Sequence, residues 1–382
     1  MQTTIEAPVR TDRSTPPAPT ATPARPRAGR LALLDGLRFV AAAGVVLYHF
    51  TAIHSSFWGL EPGGQFPRLF DATRYGNLGV QLFFFLSGFV ILMSAWGRSI
   101  PQFVASRASR LFPAYWAGVL LTATLLVAAG AYLRVFNPLD TVTNLTMVQG
   151  AFGTTDVDSV YWTLWVELRF YLLIGLFLMW GITRDRVIAV ALIWPVVGAV
   201  FSQYDDTAFS VLLDAYGAPF FAAGMLLYLV HREGWSPLLV LGIAFELALC
   251  ITTVTGDMSA TTEHTGAAPD PWVISLVLLG SFGLVALAST TRLQHLQWRW
   301  LSTAGLLTYP LYLVHQVYGL WIIKTLHPYV DKWVVLAVAI GATTTLAWAV
   351  HRWVERPFGP RLRRSLLRGL DHNPGGARPS ST

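Results

Sequence analysis

Charged residues are scarce in this chain. Only 13% of its 382 residues are Asp, Glu, Lys or Arg, whereas soluble domains carry about 25%. A single cysteine, Cys250, cannot form an internal bridge, so a disulfide scaffold is excluded. Because 54% of the residues are hydrophobic and the mean hydropathy is +0.50, a soluble enzyme and a disordered chain are excluded as well. The composition indicates a polytopic membrane protein.

Ten apolar runs reach, or nearly reach, the length of about 20 residues that a helix needs to cross the hydrocarbon core. The sequence therefore predicts an all-α membrane protein with ten transmembrane helices. The fifth run is short and is interrupted by Pro195. The runs lie near residues 31–53, 77–96, 111–131, 161–180, 187–201, 209–230, 236–254, 272–290, 302–322 and 333–353.

The two ends of the chain are polar. Residues 1–30 are rich in Pro, Thr, Ala and Arg and offer nothing to bury, so we expect a disordered basic tail there. They do not resemble a secretory signal, because the first apolar run begins only at Leu31 and is too long. Residues 358–382 are predicted to be a similar basic tail, which leaves 31–357 as the membrane domain.

The arginines predict the orientation. With both termini in the cytoplasm, each inner connection has an excess of arginine, whereas acidic residues outnumber basic ones in the outer loops. This is the positive-inside pattern of a multi-pass protein of the cytoplasmic membrane. The net charge of +6 is therefore explained by topology in the lipid bilayer, and we expect no nucleic-acid partner.

Ionisable residues inside the predicted spans are the informative ones. A charge at the bilayer centre costs roughly 2.5–3.5 kcal/mol on insertion scales, so each needs a partner or a water-filled cavity. The loops are too short for a soluble catalytic domain, although any one of these residues also fits a buried ion pair that joins two helices. They are Asp35, Arg38, His49, Glu167, Arg169, Asp214, Glu246 and His315.

The first span contains Arg38 and His49, which are eleven residues apart and project from one face. His49 lies about 16 Å further out. Asp35, three residues before Arg38, can pair with it. An imidazole is suited to accept a hydroxyl proton near neutral pH. Spacing alone leaves a general base and a merely structural histidine equally open.

Arg107 and Arg110 share a face at the inner mouth of the third span. Two guanidiniums there can bind phosphate groups bidentately. They can equally be positive-inside anchors, and spacing by itself favours the anchors.

Six motifs in order resemble the acyltransferase-3 family of membrane O-acyltransferases, and together they extend over about residues 31–357. They are Leu34-Asp35-Gly36-Leu37-Arg38 followed by His49, GVQLFFFLSGF at 79–89, RASRLFP at 107–113, WTLWVELRFY at 162–171, YPLYLVH at 309–315 and VERP at 354–357.

The resemblance implies ten spans with the termini inside, and acyl transfer from a cytoplasmic acyl-CoA to a hydroxyl, usually on a sugar. By position, His49 matches the family's catalytic histidine and Arg38 its paired arginine. Arg107 and Arg110 match its Arg-x-x-Arg motif, which is thought to serve the CoA donor. The extracytoplasmic hydrolase-like domain of some members has no space in this sequence, so we expect direct transfer to the final acceptor.

Depth along the helices groups four residues. At a rise of about 1.5 Å per residue, Glu167 lies about 9 Å and Asp214 about 8 Å below the outer boundary, and His315 lies about 20 Å above the inner one. With His49, they are predicted to share one layer of a core about 30 Å thick. We expect this layer to be the acceptor pocket, with His315 and Asp214 binding the acceptor and Glu167 orienting His49 or a sugar hydroxyl.

Four other features are interpreted more simply. Ser87 fits close helix packing better than nucleophilic attack, because no Gly-x-Ser-x-Gly elbow surrounds it. Arg169 is two residues from Glu167 and is expected to pair elsewhere, and Glu246 is equally compatible with structural pairing and function. No His-Glu-x-x-His or paired-cysteine motif is present, so no metal is expected.

The sequence thus predicts a membrane O-acyltransferase that moves a short acyl group, such as acetyl, from acyl-CoA to a carbohydrate or a glycosylated natural product. The expected catalytic residues are His49, Arg38, Asp35 and Glu167, with acyl-CoA as co-substrate and no cofactor. The alternative is a transporter whose buried charges form a substrate or proton path. Repeated halves or matched broken helices would favour the transporter, and the sequence has neither.

Overall fold

The computed structural model describes residues 31–54, 56–130, 133, 136–203 and 212–371. Regular structure in these residues is entirely helical, with no β-strand among them. The predicted tail 1–30 and residues 372–382 lie outside the described residues.

Ten long helices follow the predicted spans in order. They are α1 (Ala32–Thr51), α2 (Gly79–Ala95), α3 (Ile100–Ala129), α4 (Trp162–Trp180), α5 (Arg184–Phe201), α6 (Ala218–Glu233), α7 (Pro237–Gly256), α8 (Pro271–Thr290), α9 (Arg299–Leu326) and α10 (Lys332–Val350).

Shorter helical segments fill the connections. Four are α-helical: Pro62–Gln65, Pro67–Thr73, Asp140–Asn144 and Ser259–Thr265. Five are 3₁₀ turns: Ser56–Trp58, Gly76–Leu78, Gln149–Phe152, Ser159–Tyr161 and Arg292–His295.

Eight of the long helices in the described part of the chain are long and apolar enough to cross a membrane. The other two are α5, which has 18 residues and three charges in its first turn, and α6, which has 16 residues. Pro195 lies inside α5 without ending it. The sixth span was predicted from residue 209, but α6 begins at Ala218. The prediction of an all-α polytopic membrane protein is confirmed, while the sidedness of the termini stays a prediction.

Close backbone contact joins α2 to α6. A Cβ on Gly88 would collide with the Phe221 carbonyl, and one on Gly224 would collide with the Phe85 carbonyl. Small residues allow this approach, and in a bilayer such close packing is a main source of helix association. Close packing was predicted for Ser87, and the glycine that follows it, Gly88, makes the close approach.

Helices α1 and α9 run parallel and in contact. Near their starts, Gly305 of α9 faces Asp35 of α1, and near their ends Gly319 faces the ring of Phe50. In both places a glycine Cβ would overlap its neighbour. This close approach brings the last turn of α1 alongside the middle of α9.

The chain continues as a helix beyond α10. A π-helical turn, His351–Glu355, leads into α11 (Arg356–Asp371), which packs against α3, with Gly359 on the backbone of Ser109. This corrects the tail that was predicted from residue 358, since residues up to Asp371 are helical. Apolar residues at helical spacing explain why α11 forms. Leu362 and Leu366 are half-buried on one face, while the arginines of α11 are exposed.

Candidate active site

A cavity of about 80 Å³, here called the arginine cavity, lies between α1, α2, α3, α4 and α9. Arg38, Arg107 and Arg110 line one part of it, with Glu167 as the carboxylate among its lining residues. The rest of its wall is largely apolar and includes Phe83, Phe84, Ile91, Leu111 and Leu164. The cavity therefore combines a cationic region with an apolar one.

Two of the three arginines of this cavity, Arg38 and Arg107, have side-chain partners. Arg38 donates to the Asp35 carboxylate at 3.3 Å, which is the pairing predicted from their spacing. Arg107 donates to the Ser94 hydroxyl at 2.8 Å, and its guanidinium lies 5.9 Å from the Phe103 ring and 5.8 Å from the Tyr171 ring. A half-buried arginine held between two rings beside a cavity is not a freely exposed interfacial anchor.

Glu167 lies in the arginine cavity rather than beside His49. It accepts hydrogen bonds from the Ser87 hydroxyl at 3.1 Å and from the Tyr171 hydroxyl at 2.8 Å. This corrects the prediction that Glu167 shares a pocket with His49. The depth calculation gave its position along α4 but not the direction of its side chain, which points towards α2.

A second cavity, of about 610 Å³, contains His49 and is here called the histidine cavity. Its polar wall consists of side-chain amides, hydroxyls, a carboxylate and a second histidine, from Asn77, Gln81, Gln316, Ser159, Thr253, Thr261, Asp257 and His264. Aromatic rings of Tyr48, Trp162, Tyr216 and Tyr312 complete much of the remainder. Such a wall suits a ligand with several hydroxyl groups and an apolar face.

Hydrogen bonds between neighbouring side chains hold several polar groups of the histidine cavity in place. Gln81 and Tyr216 share a hydrogen bond across the cavity wall, and the Ser159 hydroxyl donates to Gln316 at 3.0 Å. Outside the spans, Asp257 accepts from the hydroxyl and the backbone N–H of Ser259, which lowers the pKa of Asp257. The wall of the cavity therefore carries a carboxylate that stays ionised at neutral pH.

Hydrogen bonding assigns the protonation of the His49 ring. Its Nδ1 lies 2.8 Å from the Val45 carbonyl, which can only accept, so Nδ1 carries the hydrogen. In the neutral ring the lone pair is then on Nε2. His49 lines the histidine cavity, so the residue whose neutral ring has a lone pair on Nε2 is part of the cavity wall.

His315 is completely buried and lies against His49. Its Nε2 is 3.2 Å from His49 Nδ1, and the two ring centroids are 5.0 Å apart. His315 is not among the residues that line the histidine cavity, and its role as an acceptor-binding residue stays a prediction. It belongs to the layer predicted for His49, but it faces the neighbouring helix instead of the open space.

Asp214 forms an ion pair with Arg169 at 2.9 Å, and both side chains are nearly buried. The Arg169 guanidinium also lies 5.4 Å from the Trp165 ring. Asp214 lines neither the arginine cavity nor the histidine cavity, and its acceptor-binding role stays a prediction. The pair joins α4 to the segment before α6, and it supplies the separate partner that was expected for Arg169.

Val80 and Tyr312 line both cavities. The Tyr312 hydroxyl lies 2.7 Å from the Thr163 hydroxyl and donates to the Val160 carbonyl at 3.1 Å. The two residues therefore form the boundary between the cationic region and His49. Sequence reasoning missed both, although Val80 lies inside a quoted motif and Tyr312 lies in another, three residues before His315.

Glu246 of α7 is fully buried, and neither of its carboxylate oxygens has a hydrogen-bond partner within the described part of the chain. It lines neither cavity. Among the same residues, no group of three or more His, Cys, Asp and Glu side chains lies close enough to hold a metal ion.

Comparison with known proteins identifies the architecture. The model of a family described as an acyltransferase domain matches residues 31–352. This match covers most of the chain and all of the residues that line the two cavities. The chain belongs to the acyltransferase-3 family. It is therefore a membrane acyltransferase, and the transporter alternative is set aside.

A curated relative agrees with this assignment. Nodulation protein 10 of Rhizobium leguminosarum bv. viciae is 29% identical over 364 residues, a region that covers 87% of this chain and 94% of that protein. No solved structure matches the chain.

Proposed function

We propose that this acyltransferase moves a short acyl group from acyl-CoA to a hydroxyl group of a carbohydrate-type acceptor, with His49 as the general base. One observation carries the proposal: His49, with its lone pair on Nε2, lines a large cavity whose wall includes amides and hydroxyls, and that cavity adjoins a cationic one at Val80 and Tyr312. A base and an anion-binding region separated by one layer of side chains suit a reaction between a hydroxyl and a CoA thioester.

The arginine cavity supports an acyl-CoA donor. Guanidiniums bind phosphate groups through paired hydrogen bonds, and Arg107 and Arg110 face the same cavity. Its apolar wall fits the uncharged thioester end of the donor. The small volume of about 80 Å³ favours an acetyl or another short acyl group.

The histidine cavity supports a glycoside as the acceptor. Its volume of about 610 Å³ falls within the roughly 300–1,000 Å³ of ligand pockets. Amides such as Asn77 and Gln316 can bond sugar hydroxyls, while Trp162 and Tyr216 offer faces for the apolar side of a sugar ring or of an attached aglycone. A polysaccharide end and a small glycosylated natural product both meet these requirements.

The transfer proceeds by attack of the acceptor oxygen on the thioester carbonyl carbon. The hydroxyl proton moves to His49 Nε2 as the new C–O bond forms. The C–S bond then breaks, and the thiolate of CoA takes the proton from the imidazolium, which regenerates neutral His49. The products are the O-acyl ester and free CoA. Arg38, held by Asp35, lines the donor cavity and supports donor placement rather than proton transfer.

The distribution of arginine supports placement in the cytoplasmic membrane with both termini inside. In that orientation the arginine cavity is nearer the cytoplasm, where acyl-CoA is available. The acceptor then meets the donor at the deeper boundary formed by Val80 and Tyr312.

The proposal is tested with purified protein in detergent, acetyl-CoA, and a panel of glycosides analysed by mass spectrometry. Release of CoA thiol is measured at the same time, and the buried Cys250 keeps the protein's own background low. We expect thiol release that depends on one acceptor class and on His49. Release that does not depend on any acceptor, or that is equal in a folded His49→Gln variant, contradicts the proposal.

A further inference from the structure

The side chain packed directly behind His49 is another histidine. His315 lies in the middle of α9, is completely buried, and is surrounded by the rings of Tyr312 and Phe50 at centroid distances of 5.8 and 6.3 Å. An imidazole costs more to bury than an apolar side chain of similar size unless its nitrogens are hydrogen-bonded. The hydrogen-bond partners of the two His315 ring nitrogens therefore indicate the role of this side chain.

The two ring nitrogens of His315 have different partners. Nδ1 lies 2.9 Å from the Tyr312 carbonyl and 3.2 Å from the Leu311 carbonyl, so it is a donor. Nε2 of the neutral ring then has a lone pair, and the group that faces it is His49 Nδ1 at 3.2 Å. The hydrogen on His49 Nδ1 is thus shared between the Val45 carbonyl, on its own helix, and His315.

We infer that His315 is a positioning residue for His49: its Nε2 accepts from His49 Nδ1, holds the ring against α9, and stabilises the imidazolium formed during transfer. This inference rests on the proposed role of His49 as the general base. When Nε2 of His49 takes the acceptor proton, the Nδ1–H bond becomes charge-assisted and therefore stronger. The Val45 carbonyl alone leaves the ring attached only to its own helix, whereas His315 ties it to α9.

The arrangement is similar to that of hydrolytic triads, in which a third side chain orients the base. Here a neutral imidazole takes the place of the usual carboxylate. A buried carboxylate there would need its own charge partner within the membrane, which a neutral ring does not. The lone pair of His315 supplies an acceptor without adding a charge to the core.

Two polar substitutions distinguish the roles of the two ring nitrogens of His315. In His315→Gln the side-chain oxygen reaches the place of Nε2 and can accept from His49, whereas in His315→Asn the amide matches Nδ1 and reaches only the Tyr312 carbonyl. We expect the Asn variant to lose about 10- to 100-fold in kcat, the size of one hydrogen bond to a charged group. The Gln variant should stay within about fivefold of wild type, and the acceptor KM should change less than about twofold in both.

His231 provides a matched control. It too is a histidine whose Nδ1 bonds a backbone carbonyl, that of Ser289, but it lines neither cavity. His231→Asn should leave kcat per folded molecule unchanged. Folding of every variant is checked by size-exclusion profile and thermal unfolding in detergent.

The outcomes distinguish this inference from the proposed function. An unchanged kcat in a folded His315→Asn protein overturns the positioning role, and a raised acceptor KM at constant kcat returns His315 to acceptor binding. Equal losses in the Gln and Asn variants also overturn it. Activity in His49→Gln, by contrast, overturns the proposed function itself.

Discussion

The Tyr312 hydroxyl lies 2.7 Å from the Thr163 hydroxyl, and this contact joins α9 to α4 at the boundary between the two cavities. Thr163 lines the arginine cavity, and Val160, whose carbonyl also accepts from Tyr312, lines the histidine cavity. Tyr312 is consequently fixed from both sides. In the proposed reaction, the donor and the acceptor meet at this residue and Val80, which line both cavities.

Widening this boundary should change the acyl groups that are accepted. We predict that Val80→Ala raises the turnover of butyryl-CoA relative to acetyl-CoA by about tenfold, because two methylene groups contribute roughly 0.8 kcal/mol each when they are buried. Competition between the two thioesters, resolved by mass spectrometry of the products, measures the ratio.

Val90 is the matched control for Val80. It lies on the same helix, α2, and lines neither cavity. Val90→Ala should leave the ratio of the two thioesters unchanged. An equal shift in both variants would mean that helix packing, rather than the boundary, sets acyl preference.

His49, as the proposed general base, should not tolerate replacement by an amide side chain. His49→Gln and His49→Ala are predicted to lose roughly 10²–10⁴-fold in turnover, the range of general acid–base catalysis. Donor binding should survive, because Arg107 and Arg110 line the arginine cavity, which His49 does not line, and Arg38 lies about 16 Å from His49 along α1. Turnover and acyl-CoA binding by calorimetry are compared in the same preparation, and near-normal turnover in folded His49→Gln protein would refute the mechanism.

Donor affinity should depend on the two arginines of α3. Replacing Arg107 or Arg110 by Ala should raise the acyl-CoA KM and leave the acceptor KM nearly constant. The loss of a charge-assisted bond is expected to cost on the order of 1.5–3 kcal/mol. Lysine should restore binding only in part, since it lacks the planar fork.

Arg98 serves as the control for these arginines, because it is exposed near the start of α3 and lies outside the arginine cavity. Arg98→Ala should leave the donor KM unchanged. A similar rise in all three variants would indicate a general effect of surface charge, and an unchanged KM in the double variant would return Arg107 and Arg110 to the role of anchors.

The ion pair of Arg169 and Asp214 should matter for stability and not for catalysis. Removing one partner of a buried pair leaves an uncompensated charge and typically costs about 3–5 kcal/mol. Asp214→Leu is therefore predicted to lower the midpoint of thermal unfolding in detergent, and Arg169→Leu with Asp214→Leu should recover part of the loss.

The acceptor KM distinguishes a role of Asp214 in stability from a role in acceptor binding. It should stay constant in the Asp214 variants, since the carboxylate lines neither cavity. A large rise in acceptor KM without a change in unfolding midpoint would restore the acceptor-binding role that the sequence suggested.

The sequence by itself determined the fold class and the chain order of the helices, because apolar runs of membrane-spanning length are a one-dimensional property. It also selected His49, Arg38, Arg107 and Arg110 as candidate site residues, because they share faces on single helices, and it predicted the pairing of Asp35 with Arg38, three residues apart, that the structure has. Helical periodicity is sufficient for relations of this kind.

Relations between helices were decided only by the tertiary structure. Depth arithmetic placed Glu167, Asp214 and His315 in one layer with His49, but depth says nothing about lateral position or the direction of a side chain. Helix packing turned Glu167 towards Ser87 and paired Asp214 with Arg169. The parallel contact of α1 with α9, made possible by Gly305 and Gly319, brought together two histidines 266 residues apart in the chain, a distance over which no local periodicity carries information.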